Sequence, residues 1–289
     1  MKAIYRHELT SQFTNLSGCV FIAFLLLFAG IYTMAINVRS GIASFEYVLS
    51  NMSFTFMIIV PVLTMRSIAE EKRQKTDQLL YSLPISLTEV VLGKYFAMLT
   101  VFLIPVLVMG TYPMLLSAYG NVNLPAAFSA LLGFFFLGAA LIAIGMFVSS
   151  VTESQVVAAG LCFALLLVNY FLVSLSGFLS TTAFSSLLAF SVVAILLCLL
   201  VEHMTKSHIA AMASAVVLLT ALMVCYTLFQ EKFAGLFPEI VDNLSLFAHF
   251  EDLTGGVLDF RTLVFFLSVA FSFLYLTVQS LEKRRWSDE

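Results

Sequence analysis

Charged residues are scarce in this 289-residue sequence. Asp, Glu, Lys and Arg make up 11% of the chain, against about 25% in an ordinary soluble protein. Hydrophobic residues make up 61%. A soluble globule of this size could not bury so much apolar surface and keep a wettable exterior. The composition therefore excludes soluble enzymes, disordered chains and disulfide scaffolds, and it predicts a protein that crosses a membrane several times.

Three further features of the sequence narrow the class of protein. The net charge of -3 at pH 7 gives no sign of a nucleic-acid partner. The apolar runs hold almost no ionisable residues, which ion-coupled transporters usually place inside the membrane, so a proton or sodium symporter is disfavoured. The four cysteines lie in apolar runs without paired spacing, which indicates reduced packing thiols. They are Cys19, Cys162, Cys198 and Cys225.

The sequence also lacks the motifs of nucleotide and metal sites. The pair Gly93-Lys94 has neither the earlier glycine nor the following Ser or Thr that a phosphate-binding loop requires. His203 and His208 lie five residues apart, a spacing that does not place them on one face of a helix. We therefore expect no catalytic residue, no metal site and no cofactor in this chain, and we expect that it is not an enzyme.

Uncharged runs indicate where the chain crosses the membrane. A bilayer core of about 30 Å needs roughly 20 apolar residues per helix. The run between Lys94 and Glu153 holds 58 uncharged residues, enough for two helices joined by the turn at 119–125. The lengths of the uncharged runs predict an all-α polytopic membrane protein with about eight transmembrane helices in one domain, 1–289. The predicted spans are 17–38, 47–65, 95–118, 126–150, 155–175, 183–201, 209–229 and 262–281.

The Lys and Arg residues predict the orientation of these spans. An even number of spans places both termini on one side of the membrane. If that side is the cytoplasm, eleven of the fourteen Lys and Arg residues lie inside, and only Arg39, Lys232 and Arg261 lie outside. This asymmetry follows the positive-inside rule. It predicts cytoplasmic termini and a multi-pass protein of the plasma or inner membrane.

The first residues predict an amphipathic helix that lies at the membrane interface. Apolar residues of the 1–16 segment recur at helical spacing, while polar residues occupy the other faces. The apolar stripe consists of Tyr5, Leu9, Phe13 and Leu16.

The 66–94 segment between the second and third spans must lie in water or among lipid headgroups. Nine of its residues are charged, and burying them in lipid would cost on the order of 25 kcal/mol at roughly 3 kcal/mol each. Good helix formers predict a helix over 68–81, which Pro84 ends. Ser86 or Thr88 then offers an N-cap for a second helix that leads into the third span. The segment is either a solvated connector or a docking surface for a soluble partner.

Three stretches of the chain resemble one family of membrane proteins. The 66–94 segment, with Glu-Glu-Lys-Arg at 70–73 and Leu-Pro-Ile-Ser at 83–86, resembles the segment between the second and third spans of ABC type-2 transporter permeases. The gliding-motility and copper-maturation branch is the most similar. The family usually has Gly where Lys75 stands, a change that we expect to leave the helix intact. The chain start and the 247–261 stretch resemble the family as well.

The resemblance implies a permease domain, the membrane subunit of an ABC exporter. In this family the 66–94 segment carries the coupling helix, on which a separate ATPase subunit docks. ATP and Mg²⁺ would bind in two copies of that ATPase, and the permease would form a homodimer, or a heterodimer with a related permease, among membrane lipids. An ATP-independent carrier or channel is the alternative. The implied ATPase-coupling residues are Glu70, Glu71, Arg73, Thr76, Leu79, Leu80 and Pro84.

The sequence departs from the family in its number of spans, since six are usual. A hairpin at about 183–229 is the predicted addition. The extracytoplasmic 230–261 segment follows, where an apolar stripe predicts an amphipathic helix that begins near Pro238. Its aromatic end forms either an outer gate or a packed cap without substrate contact. The candidate gate residues are Phe247, His249, Phe250 and Leu253.

Overall fold

The computed structural model describes residues 1–76, 86–178, 180–205, 208–228, 230–255 and 259–287. Within these ranges the regular structure is helical and contains no strand, which confirms the all-α prediction. The chain forms two compact units: residues 1–170 with 249–289, and residues 171–248.

The helices are numbered here in chain order. They are α1 (Lys2–Thr14), α2 (Ser17–Thr33), α3 (Glu46–Thr64), α4 (Ala69–Gln74), α5 (Leu87–Met109), α6 (Thr111–Ser117), α7 (Leu124–Val151), α8 (Gln155–Phe178), α9 (Ala183–Thr205), α10 (His208–Leu228), α11 (Gln230–Phe233), α12 (Leu236–Leu244), α13 (Leu246–Thr254) and α14 (Phe260–Ser287). A π-helical stretch, Met34–Arg39, extends α2.

Six helical stretches in the described part of the chain are long and apolar enough to cross a bilayer. They are Ser17–Arg39, Glu46–Gln74, Leu87–Ser117, Leu124–Val151, Gln155–Leu172 and Phe260–Arg284. The other two predicted spans fall on α9 and α10, where the described residues include the shorter apolar stretches Ala183–Ile195 and Leu218–Leu228. That these two helices cross the membrane stays a prediction.

Polar side chains fix where two of the long helices begin. The Ser86 hydroxyl accepts a hydrogen bond from the Glu89 backbone N–H at 3.3 Å, so Ser86 is the N-cap of α5. This confirms the first of the two caps predicted for that helix. Asn123 is the N-cap of α7 in the same way, accepting from the Ala126 N–H at 3.4 Å. Pro125 follows in the first turn, where its missing N–H costs nothing.

Buried phenylalanine rings form the centre of the first unit. Phe56 lies 4.4 Å from Phe134 and 5.7 Å from Phe102, measured between ring centroids. The Phe250 ring lies 6.1 Å from that of Phe134, so α13 shares this core with α3, α5 and α7. All four rings are fully buried, and aromatic contacts of this kind add about 0.5–1.5 kcal/mol each beyond their buried area.

Small residues on α7 let its neighbours approach closely. A Cβ atom at Gly145 would collide with the Thr64 side chain of α3, and one at Gly138 would collide with the Phe102 ring of α5. A Cβ at Gly133 would lie 2.7 Å from the Leu253 side chain. The glycine face of the fourth span is therefore a helix-packing surface.

The second unit is organised around α9. Its Phe190 ring lies 5.2 Å from that of Phe237 and 6.1 Å from that of Phe233, so α9 packs against α11 and α12. The predicted outer helix is divided into α12 and α13, because Ser245 leaves the helical conformation between them. Its hydroxyl accepts from the Ala248 N–H at 3.2 Å, which caps the new helix. The single amphipathic helix predicted from near Pro238 is therefore interrupted at Ser245.

Candidate functional site: the Lys94 junction

Lys94 lies at the centre of a polar junction, defined here as Glu8, Ser67, Glu71 and Lys94. The Lys94 side chain is almost completely buried. Its ammonium lies 2.7 Å from a Glu71 carboxylate oxygen and 3.2 Å from one of Glu8, and it donates to the Ser67 carbonyl oxygen at 2.9 Å. A buried cation requires such partners. The junction thus joins α1, α5 and the short helix α4.

Ser149 of α7 caps the short helix from outside. Its hydroxyl oxygen accepts hydrogen bonds from the backbone N–H groups of Ile68 and Ala69, at 3.2 and 3.0 Å, and donates to the Met65 carbonyl at 3.2 Å. The residue before α4 is Ile68, which has no side-chain oxygen to satisfy these N–H groups. The serine of another helix therefore supplies the cap that the local sequence lacks.

The backbone carbonyl of the neighbouring Ser150 accepts two more hydrogen bonds. The Lys72 ammonium of α4 and the Ser280 hydroxyl of α14 both donate to it, the latter at 3.3 Å. Nearby, an Arg284 guanidinium nitrogen lies 2.8 Å from a Glu153 carboxylate oxygen. The end of α7 is therefore bonded both to α4 and to the last helix of the chain.

Helix α1 packs lengthwise on α5. Gly93 permits the approach, because a Cβ there would lie 3.1 Å from the Ile4 side chain. The Tyr5 hydroxyl is 3.0 Å from that of Thr100. The face turned to the protein carries Ile4, Glu8 and the buried Gln12. The predicted stripe is wrong at its end: Leu16 lies outside the helix with φ 59° and is exposed.

The helix in the 66–94 segment is shorter than the sequence predicts. One helix was expected over 68–81, whereas α4 ends at Gln74 and Lys75 adopts the left-handed conformation, with φ 57°. The prediction of a continuous helix is wrong at this point, because backbone hydrogen bonds end α4. Residues 77–85 lie outside the described part of the chain.

Those hydrogen bonds form a Schellman motif. The Thr76 N–H donates to the Glu71 carbonyl at 3.0 Å, and the Lys75 N–H donates to the Lys72 carbonyl at 3.2 Å. The motif needs a left-handed residue at Lys75, a position at which glycine is preferred because it has no Cβ. The change from the glycine usual in the resembled family therefore introduces backbone strain where the sequence alone suggests none.

Comparison with known proteins gives the family. Residues 2–183 match the family described as ABC-2 family transporter protein. The chain belongs to the ABC-2 transporter family. No curated protein matches it. The protein is thus a multi-pass permease of the type that forms the membrane subunit of ABC transporters. Permeases of this family work together with ABC ATPases. The match is to the family as a whole, so the gliding-motility and copper-maturation branch stays a prediction.

The predicted coupling residues of the permease fall into three groups. Arg73 is exposed, and Glu70 and Thr76 are half-buried. Glu71 is bound by Lys94, as described above. Three residues lie outside the described part of the chain, and their roles stay predictions: Leu79, Leu80 and Pro84.

A polar cavity of about 780 Å³ lies beside the Lys94 junction of the permease. Its lining combines residues of α1 with residues of the 66–94 segment, among them His7, Glu8, Arg66, Glu70 and Lys94. Helices α1 and α4 therefore border one polar cavity at this end of the bundle.

Three of the candidate gate residues belong to the first unit and lie at the opposite end of its spans: His249, Phe250 and Leu253. Phe247, Phe250 and Leu253 are buried, and the His249 ring lies 4.4 Å from the Phe265 ring of α14. These contacts are those of a packed cap. A gating role for the four residues stays a prediction.

Sequence reasoning missed the residues that hold the junction together. Lys94 binds Glu8 and Glu71, and Ser149 caps α4. These contacts join helices that are far apart in the sequence, so they depend on the tertiary fold. One signal was available: Lys94 is a lone charge at the edge of a long apolar run, and such a charge needs a partner.

We expect that Lys75→Gly stabilises the permease. Glycine removes the left-handed strain, about 1–2 kcal/mol for an L-residue, but its greater freedom in the unfolded chain costs about 0.4–1 kcal/mol. A net gain of about 0.5–1 kcal/mol would raise the apparent melting temperature in detergent by roughly 1–3 °C. Lys75→Ala is the matched control, because alanine loses the charge but keeps the strain. An equal rise with alanine would contradict the strain argument.

Proposed function

We propose that the chain is the permease of an ABC exporter in the plasma or inner membrane, driven by a separate ATPase that docks on the 66–94 segment. The observation that supports this most is the bonding of α4 to the spans. Ser149 and the Ser150 carbonyl link it to α7, and the Glu71–Lys94 pair links it to α5. A displacement of α4 would therefore move at least two spanning helices.

We assign two roles to the predicted coupling residues. Glu71 holds α4 in place through Lys94, so it transmits movement within the permease. Arg73 is exposed and available to an acidic group of the ATPase, and Glu70 offers a partly exposed carboxylate to a basic one. Thr76, Leu79, Leu80 and Pro84 complete the proposed docking surface. ATP and Mg²⁺ would bind to the ATPase alone.

The proposed assembly has two permeases and two ATPase subunits. The second permease is a copy of this chain or a related one. Closure of the ATPase dimer on ATP would displace α4 in each permease and change the access of the transport path towards the outside. The reverse movement would follow ATP hydrolysis.

Arg73→Glu tests the docking surface. The change reverses the charge of an exposed side chain on α4, and we expect at least a tenfold loss of ATPase co-purification together with loss of ATP-dependent transport in proteoliposomes. Arg39→Glu is the matched control. It makes the same charge change at another exposed arginine, at the far end of α2, and should leave both measurements unchanged.

The proposal fails if Arg73→Glu and the double variant Leu79→Asp/Leu80→Asp both retain ATPase binding and transport. Transport by the permease alone, without ATPase or ATP, would instead support the ATP-independent carrier or channel.

A further inference from the structure

A second polar cavity lies at the end of the spans away from the Lys94 junction. Its volume is about 420 Å³. It is formed where α3 and α7 begin and α13 ends, and the 19 residues of α3 place it about 28 Å from the 66–94 segment at a rise of 1.5 Å per residue. The polar residues that line it are Ser44, Glu46, Ser50, Asn123, Glu251 and Thr254.

Glu46 is the unusual member of this lining. The residue is only 7% exposed, and its carboxylate oxygen Oε1 has no hydrogen-bond partner. A buried carboxylate oxygen without a partner costs free energy that folding must offset. Its place in the first turn of α3 gives it favourable helix-dipole interaction, but the dipole does not supply the missing donor. The positive charge of a bound cation would instead compensate the charge of this carboxylate.

The loop before Glu46 is held in place. The Asn37 side-chain amide donates to the Ile42 carbonyl at 2.7 Å and to the Ser44 carbonyl at 3.3 Å. These bonds fix the path of the chain into α3. The carboxylate of Glu46 is therefore positioned before any ligand arrives, which lowers the entropy cost of binding.

The cavity has the electrostatics of a cation site. A second acidic residue, Glu251, also lines it, and its side chain is exposed. Among the described lining residues there is no Lys or Arg to neutralise the pair. Two carboxylates in a concave, partly buried site attract cations and concentrate them locally.

Three observations favour an organic ammonium ion over a metal ion. The described residues contain no group of three or more His, Cys, Asp or Glu side chains arranged for a metal. The cavity is within the size range of small-molecule sites, about 300–1,000 Å³, and is far larger than one ion needs. Tyr47 lines it as well, and a tyrosine ring attracts ammonium groups through its π face.

We propose that this cavity binds an organic ammonium group, with Glu46 as its charge partner and Tyr47 as its aromatic wall. The group could belong to a soluble amine or to a lipid headgroup, and both present the same cation to the site. If the permease exports its cargo as proposed above, this is a site on the exit side for cationic cargo. The binding itself needs neither ATP nor the ATPase.

Radiolabelled choline is a suitable probe for the purified permease in phosphatidylglycerol nanodiscs. We expect saturable binding that tetramethylammonium displaces and that 3,3-dimethylbutanol, the uncharged analogue of choline, does not. Glu46→Gln should weaken choline binding at least tenfold without lowering the melting temperature, since it removes an unpartnered charge. Glu239→Gln is the control, because this carboxylate is exposed on α12 and lies outside the described lining.

Two further experiments test the role of the Tyr47 ring and the source of the ligand. Tyr47→Ala should weaken choline binding roughly two- to fivefold, as expected for an exposed cation–π contact, whereas Tyr47→Phe should preserve it. Replacing phosphatidylglycerol by phosphatidylcholine should reduce choline binding if lipid headgroups reach the site, and should leave it unchanged if only soluble amines do.

The proposal is overturned if Glu46→Gln binds choline as the unchanged protein does, if the uncharged analogue competes equally, or if the site binds calcium and no choline. Because the ATPase is absent from these measurements, their failure is separate from failure of the docking proposal, which Arg73→Glu tests.

Discussion

Lys94→Met should destabilise the permease by about 3 kcal/mol, near the lower end of the range of about 3–5 kcal/mol for removal of one partner of a buried ion pair. The substitution leaves Glu8 and Glu71 without their shared cation, and these side chains are only 14% and 29% exposed. The partial exposure of Glu71 lets water compensate some of the loss. Thermal unfolding in a fixed detergent measures the effect, with an expected fall of roughly 6–12 °C.

The triple variant Lys94→Met/Glu8→Gln/Glu71→Gln tests whether charge is responsible. It also removes the charges of the two carboxylates that share Lys94, so most of the lost stability should return. If the triple variant is as unstable as the single one, the lysine contributes through packing of its methylene groups. An unchanged melting temperature in Lys94→Met would show that the junction does not hold α1, α4 and α5 together.

Ser149→Ala should cost about 2–4 kcal/mol and weaken the link between α4 and α7, leaving the contact of Lys72 with the Ser150 carbonyl in place. The hydroxyl satisfies two backbone N–H groups of the α4 start, and each buried N–H left without an acceptor costs about 1–3 kcal/mol. If the proposed coupling is right, ATPase binding should persist, because the exposed face of α4 remains, while transport per ATP hydrolysed should fall. The measurements are thermal unfolding, co-purification and the ratio of transport to ATP hydrolysis.

Ser150→Ala is a matched control for this prediction. The two serines are adjacent and equally buried, but the Ser150 hydroxyl donates only to the Phe147 carbonyl of its own helix, at 2.7 Å. Its backbone carbonyl, which receives Lys72 and Ser280, is unaffected by the change. We expect a loss of less than about 1 kcal/mol and normal coupling. Equal losses in both variants would contradict the capping role of Ser149.

Hydropathy was enough to predict the helical fold class and the positions of most spans. A chain that crosses lipid must do so in long apolar helices, which are visible in the sequence. The 58-residue run between Lys94 and Glu153 was predicted to hold two helices, and α5 and α7 occupy it with α6 between them. The caps at Ser86 and Asn123 are local as well, since each side chain bonds to backbone three residues away. Such contacts can be anticipated from a short window of sequence.

The 66–94 segment shows where local reasoning ends. Its composition favours a helix to residue 81, but α4 ends at Gln74. The next residue, Lys75, adopts the left-handed conformation, which is unfavourable for lysine. Helix propensity differences are below about 1 kcal/mol per residue. The hydrogen bonds of the Schellman motif outweigh them at the end of α4. Contacts with other helices then position α4: Ser149 of α7 caps the helix start, and Lys94 of α5 binds Glu71.

The sequence by itself determined that this chain spans a membrane as helices, where most of them lie, and which segment must remain in a polar environment. These follow from the transfer free energies of single residues and short runs. Tertiary structure alone decided the partners of Lys94, the cap supplied by Ser149 and the unpartnered oxygen of Glu46. Each depends on atoms brought together from distant parts of the chain, and the free energy of a buried polar group is set by those neighbours.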